Sequence, residues 1–315
     1  MTTLITGGAG FLGAYLTKLV IAEGEKPVLL DPAPIPATLK SVSDKIEYVQ
    51  NSLDCLSLLI NIIRKYSVER IFHLGGMLSA PSDENPWAAF NTNVVGTYNV
   101  FEAARLEGVK QVVFSSTIAV YAKDLPATPV DDKTLQRPTS MYGSTKVFCE
   151  LLGRFYARKF DLDFRAIRLP SVIGPGAKTM NMSIYNCWAI EKSLNGEPYE
   201  LFCEPDTRCP VMYFKDAGRA FLLLSQAERS QIKTQIYNIA GIVPAFSAEQ
   251  LVNLINRKIP EARLTFKPDP AMVELLKGIG SLILDDEYSR VEWGWKIKYS
   301  LEEMLDDFIR EFKSK

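Results

Sequence analysis

Within the first thirteen residues a short apolar run, Leu4-Ile5-Thr6, passes directly into Gly7-Gly8-Ala9-Gly10, and a helical pattern begins at Phe11-Leu12-Gly13. Strand, glycine turn and helix in immediate succession leave few folds open. Gly7, Gly10 and Gly13 let the backbone turn sharply, approach a ligand closely and pack the helix on its strand. Free N–H groups and the positive end of the helix dipole at that point suit a pyrophosphate. A second apolar run, Pro27-Val28-Leu29-Leu30, ends in Asp31. That is roughly 20 residues past the glycines, where a carboxylate can take the hydroxyls of an adenosine ribose. Pro32, Ala33 and Pro34 follow, with no Arg or Lys to hold a 2′-phosphate. The cofactor expected from these residues is NAD, not NADP.

The same alternation continues through the first half of the chain. Strands are expected near Thr3–Ile5, Val28–Leu30, Glu47–Val49, Arg70–His73, Gln111–Phe114, Phe164–Arg168 and Gln235–Ile239, with helices at about 12–22, 54–66, 86–107, 142–160 and 215–226. Strands alternating with helices imply βαβ units and a parallel sheet. The fold class is therefore α/β, a doubly wound parallel sheet of Rossmann type, with a smaller C-terminal cap that binds substrate. Residues 1–172 are assigned to the NAD-binding domain, with 211–241 returning to it, and residues 173–210 and 242–315 to the cap. Irregular stretches near Pro175–Met182 and Glu204–Pro210 suit a substrate pocket at the carboxyl ends of the strands. A final amphipathic helix is expected over Leu301–Phe312.

Composition narrows the function. The chain has 315 residues, is 47% hydrophobic and carries a formal net charge of −1, so no basic excess points to nucleic acid or an anionic membrane. No apolar run reaches the ~18 residues of a membrane span, and the N-terminus begins on a strand without a signal peptide. Cys55, Cys149, Cys187, Cys203 and Cys209 show no Cys-x-x-Cys spacing and read as free, buried thiols. With His73 the only histidine, a Ser-His-Asp hydrolase or multi-histidine metal site is disfavoured. The expectation is a soluble cytoplasmic protein that acts on a small molecule and holds no metal.

Several residues could carry chemistry. Asp54 follows the third strand and is placed either to receive the adenine amino group or to cap the next helix. His73 ends the fourth strand and reads as a satisfied structural histidine; Gly75 and Gly76 behind it would let a cofactor lie against the backbone. The fifth strand ends in Phe114-Ser115-Ser116-Thr117, and 25 residues later comes Tyr142-Gly143-Ser144-Thr145-Lys146. Tyr142 and Lys146, four apart, share one helix face. A neighbouring ammonium favours a phenolate and lowers its pKa from about 10, making it a general base for a secondary alcohol. Thr117 could hydrogen-bond the same alcohol oxygen.

The ordered set of glycine turn, Asp31, strand-end hydroxyls, Tyr142 and Lys146 resembles the extended short-chain dehydrogenase/reductase superfamily over nearly the whole chain. The resemblance implies a catalytic triad of Thr117, Tyr142 and Lys146. It implies NAD contacts from Gly7, Gly10, Phe11, Leu12, Gly13, Asp31, Leu53, Asp54, Leu74, Gly75, Gly76, Asn93, Ser115, Tyr142, Lys146 and Pro170. Two branches compete. Arg168 followed by Val172-Ile173-Gly174-Pro175-Gly176 is similar to the nucleotide-sugar epimerases and dehydratases, which keep NAD tightly bound. His73-Leu74-Gly75-Gly76-Met77-Leu78-Ser79-Ala80, Pro205-Asp206-Thr207-Arg208-Cys209-Pro210 and Trp293-Gly294-Trp295-Lys296 resemble the short-chain type of L-threonine 3-dehydrogenase.

That second likeness implies oxidation of L-threonine to 2-amino-3-oxobutanoate, or of another small hydroxy acid. It implies substrate contacts from Ser79, Ser116, Thr117, Tyr142, Ser183 and Arg208, the guanidinium being a suitable partner for a carboxylate. The threonine enzymes carry a carboxylate before their next pocket helix; Met180-Asn181-Met182-Ser183-Ile184-Tyr185 carries none. The helices at 86–107 and 142–160 are apolar on more than one face, and relatives pair such helices in a four-helix dimer interface.

Overall fold

The computed structural model describes residues 1–121, 125, 129–280 and 282–313. Among them eleven strands form: β1 (Thr3–Thr6), β2 (Val28–Asp31), β3 (Glu47–Gln50), β4 (Arg70–His73), β5 (Gln111–Thr117), β6 (Asp163–Leu169), β7 (Ser171–Ile173), β8 (Tyr199–Leu201), β9 (Val211–Tyr213), β10 (Ile236–Asn238) and β11 (Leu264–Phe266). Seven of these build one sheet in the order β10-β6-β5-β4-β1-β2-β3, with every neighbouring pair parallel. All seven strands expected from the sequence lie in it, and β5 runs three residues past the expected end, to Thr117. The sheet grows outward in both directions from the β1–β4 pair. That reversal of strand order opens a crevice at the carboxyl edge of the sheet, between Thr6 and His73.

The helices are α1 (Phe11–Ala22), α2 (Leu56–Tyr66), α3 (Ser79–Glu84), α4 (Pro86–Ala89), α5 (Gly96–Leu106), α6 (Met141–Phe160), α7 (Tyr185–Leu194), α8 (Phe214–Gln226), α9 (Ala248–Lys258), α10 (Pro270–Gly280), α11 (Glu287–Trp293) and α12 (Leu301–Lys313). None is long and apolar enough to cross a membrane. The single helix expected at 86–107 is instead α4, a π-helical segment Phe90–Val95 and α5 in succession. The widened turns carry Asn93, whose side chain reaches out of the helix to the backbone of Met77.

Side chains alternate across the pleat, so successive strand residues feed opposite cores. Leu4, Val28, Ile71, Val112 and Phe164 pack with α2, α5 and α6 on one face. Ile5, Leu29, Phe72, Val113 and Ile167 pack with α1, α8, Trp293 and Trp295 on the other. With both faces covered, β1, β2 and β4 are buried at every position. A third core gathers residues between Ile173 and Phe308, chiefly Tyr185, Ile190, Leu251, Ile255, Met304 and Phe308. Two short parallel pairs, β7–β9 and β8–β11, belong to this region, and β11 falls in the tail after Phe246, where helix, strand and a final helix are expected.

Helix α6 carries Tyr142 and Lys146, so its seat on the sheet decides where they point. Ser140 caps it, accepting a hydrogen bond from the Gly143 N–H at 3.1 Å. Gly153 lets it lie flush on β6, since a Cβ there would come within 2.2 Å of the Phe164 ring. Gly153→Ala should therefore cost about 1–3 kcal/mol of stability through overpacking. Thermal unfolding checks this, and an unchanged melting temperature would show that the seat is loose.

Candidate active site

Gly7 turns out of β1 with φ of +72°, a left-handed conformation that favours glycine. A Cβ on it would meet the backbone of Leu74 and Gly75 at 2.8–2.9 Å, so the β1 and β4 turns touch main chain to main chain. A Cβ on Gly13 would lie 2.2 Å from the Gly7 carbonyl, which fixes how closely α1 approaches the turn. Gly10 is the N-cap of α1 and brings no side chain to satisfy the helix's first amides, leaving them to a ligand. Asp31 ends β2, its carboxylate accepting from the Ala9 and Ala33 N–H groups at 3.0 and 2.9 Å. These residues fit a dinucleotide: glycines clear the approach, a helix terminus faces it, and a carboxylate stands on the next strand.

The other expected cofactor residues fall around this crevice. Leu53 is buried, and its side chain lies against Gly75 and Gly96. Asp54 is exposed and accepts a hydrogen bond from Ser52. The N-cap of α2 is Cys55, so of the two readings of Asp54 the helix cap is not the one adopted. Phe11 packs its ring edge-on against Phe214 and beside Gly174, while Leu12 packs on the core beneath α1. Pro170 is buried between β6 and β7. Asn93 is 2% exposed and clamps Met77 through both atoms of its amide, at 2.7 and 3.1 Å, while also donating to Thr145.

Thr117 at the end of β5 and Tyr142 in the first turn of α6 come together through their hydroxyls. Thr117 also accepts the Ala119 N–H at 3.2 Å. Lys146 is 4% exposed; its ammonium donates to the Ser115 carbonyl at 2.8 Å and lies 4.6 Å from the Phe114 ring and 5.7 Å from that of Tyr142. Its Nζ is also 3.6 Å from where a Cβ on Gly76 would sit, so the amine borders the dinucleotide crevice. Burial pushes the Tyr142 phenol up to about 12, partly offset by the Thr117 hydroxyl, and pulls the Lys146 amine down to about 8. The sequence reading expects the phenol to be lowered by Lys146. Here desolvation dominates, because the ammonium is directed at Ser115 and not at the phenolic oxygen.

The expected substrate residues divide. Ser79 opens α3 next to the Met77 turn. Ser183 is bonded to the Ser171 hydroxyl and to Asn181 Oδ1, making a neutral polar cluster at the β7 edge. Ser116 points away from Thr117 and donates to the buried Glu150. Arg208 is exposed and donates to the Ala245 carbonyl, with Gln250 Oε1 at 3.4 Å, so its guanidinium is engaged at the surface beside α9.

Sequence reasoning missed two supporting groups. One is the chain Thr6–His73–Thr97, with His73 Nδ1 2.7 Å from the Thr6 hydroxyl and Nε2 2.9 Å from that of Thr97. Its signal was present only in part, since Asn93 and Thr97 are polar and four apart in a stretch that also carries Asn91, Asn99, Glu102 and Arg105. The other is the network around Glu150 and Arg168, whose partners come from four separate segments and share no local pattern.

The whole chain has close likenesses among known proteins. Residues 3–240 match the NAD dependent epimerase/dehydratase family. The chain belongs to that family. It is 30% identical over 311 residues to the mitochondrial L-threonine 3-dehydrogenase of Bos taurus, covering 97% of this chain and 81% of that protein. The holo form of an L-threonine dehydrogenase from Cupriavidus necator superposes with a TM-score of 0.90 at 27% identity, over 99% of both chains. A UDP-glucose 4-epimerase from Thermotoga maritima superposes at 0.87 and 25% identity, over 100% of this chain and 99% of that one. As a member of this family the protein is an NAD-dependent oxidoreductase.

His73 is fully buried, and desolvation, aided by the Lys146 charge, pulls its imidazole down to about 3. As pH falls below about 6.5 the unfolded chain takes up this proton while the folded chain does not. Stability is thus complete above that pH and declines toward pH 3, at up to about 1.4 kcal/mol per pH unit from this group. Denaturant unfolding between pH 6.5 and 4.5 should show a shallower slope for His73→Asn than for the wild type. Equal slopes would mean that His73 protonates in the folded state.

Proposed function

We propose that the protein oxidises the secondary alcohol of a small hydroxy acid, first of all L-threonine to 2-amino-3-oxobutanoate. The observation that carries this reading is the placement of Lys146 Nζ beside Gly76, on the rim of the dinucleotide crevice, one helical turn from Tyr142. Bound NAD supplies the hydride acceptor. Thr117 orients the substrate oxygen, and Tyr142 as phenolate takes the hydroxyl proton while the carbinol carbon gives up its hydride. The Lys146 ammonium, held by the Ser115 carbonyl at rest, would favour the phenolate when turned toward its oxygen, opposing the burial that keeps the phenol protonated. Gly7, Gly10 and Gly13 receive the pyrophosphate, and Asp31 the adenosine ribose.

The threonine dehydrogenase relatives support a small amino-acid substrate. Two departures speak against a nucleotide-sugar epimerase: Pro170 and Ser171 stand two and three residues after Arg168, where that branch usually has an Asn for the sugar diphosphate, and Cys209 stands seven residues before Asp216, where it usually has an Arg. The region built on the third core serves, in this reading, as the substrate cap. Five free thiols, four of them buried, support residence in a reducing compartment such as the cytoplasm.

Tyr142→Phe removes the base and leaves the glycine turn intact. It should abolish threonine-dependent NADH formation while NAD binding, followed by calorimetry, stays within about twofold of the wild type, since the turn and Asp31 supply that affinity. In the wild type the oxidation rate should rise with pH on its acid limb, because the reactive form is the phenolate. Substantial turnover in Tyr142→Phe would remove Tyr142 from its role.

The protein is further proposed to be a homodimer. Phe148, Leu151 and Phe155 are exposed at i, i+3 and i+7 along α6, and Trp87 and Tyr98 are exposed on the neighbouring α4–α5. Pairing with a second copy would bury all of them in a four-helix layer. Leu151→Arg should convert the dimer to a monomer in analytical ultracentrifugation. A wild-type chain that sediments as a monomer at micromolar concentration would refute the interface.

A further inference from the structure

Behind the catalytic helix lies an ion pair that the proposed chemistry does not use. Glu150 is 1% exposed and Arg168 4%. Arg168 grips the carboxylate with two prongs, Nε to Oε1 at 3.0 Å and Nη2 to Oε2 at 2.8 Å. Each carboxylate oxygen takes one further donor: the Ser116 hydroxyl on Oε1 and the Gln136 amide on Oε2, both at 2.5 Å. The remaining guanidinium nitrogen, Nη1, donates to the Tyr121 hydroxyl at 2.6 Å and to the Asp132 carbonyl at 3.0 Å. Four separate segments meet here, namely the end of β5, the connection from Thr117 to α6, α6 itself and β6.

The position of this network relative to the reacting groups is specific. Ser116 directly precedes Thr117, and Glu150 follows Lys146 by one helical turn on the same face. A buried, fully bonded ion pair adds little net stability, because desolvating two charges offsets their attraction. What it adds is direction, since a two-pronged contact with two further donors fixes both partners in distance and rotation. We propose that the Glu150–Arg168 pair is the positioning element of the site, locking Thr117 on β5 and Tyr142 and Lys146 on α6 into one reactive geometry. The inference rests on the Thr117, Tyr142 and Lys146 reading above.

The pair has an electrostatic consequence as well. Lys146 is faced by Tyr142, Cys149 and Glu150 from its own helix, by the Ser115 carbonyl from β5 and by neutral His73 from β4. Of these, Cys149 and Glu150 act to keep its amine protonated against the effect of burial. Removing Glu150 should make Lys146 lose its proton at lower pH, and the pH profile of the rate should shift.

A double variant separates positioning from simple stability. Glu150→Met together with Arg168→Met replaces two buried charges by apolar side chains of similar length, leaving neither member of the pair as an unpaired ion, an exchange that cores often tolerate. Ser116→Ala is the milder companion, cutting only the link between β5 and the pair.

The double variant should fold, keep its KM for NAD within about twofold, lose at least about tenfold in kcat, and turn over L-threonine with a shifted pH profile. Ser116→Ala should lose kcat several-fold with the same unchanged KM for NAD. A folded double variant with wild-type kcat and pH profile would overturn the proposal. If the double variant does not fold, Ser116→Ala decides: a wild-type kcat overturns the proposal and a selective loss of kcat supports it. Activity in Tyr142→Phe would instead mark failure of the catalytic reading itself, a result that these variants do not mimic.

Discussion

The structure depends on one close approach, that of the Gly7 turn to the Leu74–Gly75 turn, where a single Cβ would collide with backbone at 2.8 Å. β1 and β4 are neighbours in the middle of the sheet, and the strand order runs outward from them on both sides. Each strand end carries a turn across the crevice, and the two turns touch main chain to main chain. Only small residues permit this contact, and the contact sets the depth of the floor on which a dinucleotide rests. A branched or even a methyl side chain at Gly7 would lift one turn from the other and separate the helix terminus of α1 from the β4 side of the site.

Around that floor the protein keeps its polar groups dry and satisfied. His73 is neutral between two threonine hydroxyls, and Thr6 uses the same oxygen to hold the Gly75 N–H at 3.2 Å. Asn93 holds the next turn, at Met77, and Lys146 stands between Gly76 and the end of β5. Burial acts on the two titrating groups in opposite senses, raising the phenol and lowering the amine, since in each case it disfavours the charged form. The site thus rests in its uncharged-phenol state, and a nearby positive charge has the greatest effect in such a medium.

Much of this was legible in the sequence. Parallel strands covered on both faces must be apolar throughout, so runs such as Val28–Leu30 and Arg70–His73 announce themselves, and the glycine turn, Asp31 and the Tyr142–Lys146 spacing are local patterns. What was not legible is non-local. The direction of a side chain at a strand end depends on pleat, so Ser116 and Thr117, adjacent in sequence, serve opposite sides of the sheet. Arg208 was expected at a substrate carboxylate on likeness of its segment, and in the structure its side chain reaches Ala245, 37 residues downstream in no readable pattern. The π-helical turns at Phe90–Val95 are invisible to a 3.6-residue periodicity, and the short β7–β9 and β8–β11 pairs each join distant tripeptides too brief to show alternation.

The central claim is that a hydride leaves the carbinol carbon of a small hydroxy acid at the Thr117, Tyr142 and Lys146 site. Incubation of the purified protein with NAD and L-threonine deuterated at C3, followed by mass spectrometry of the nucleotide, tests it directly. The account predicts NADH carrying one deuterium, formed more slowly than with the unlabelled substrate. Recovery of unreacted labelled threonine with no NADH would contradict threonine as substrate, and NADH formed without deuterium would contradict the transfer itself.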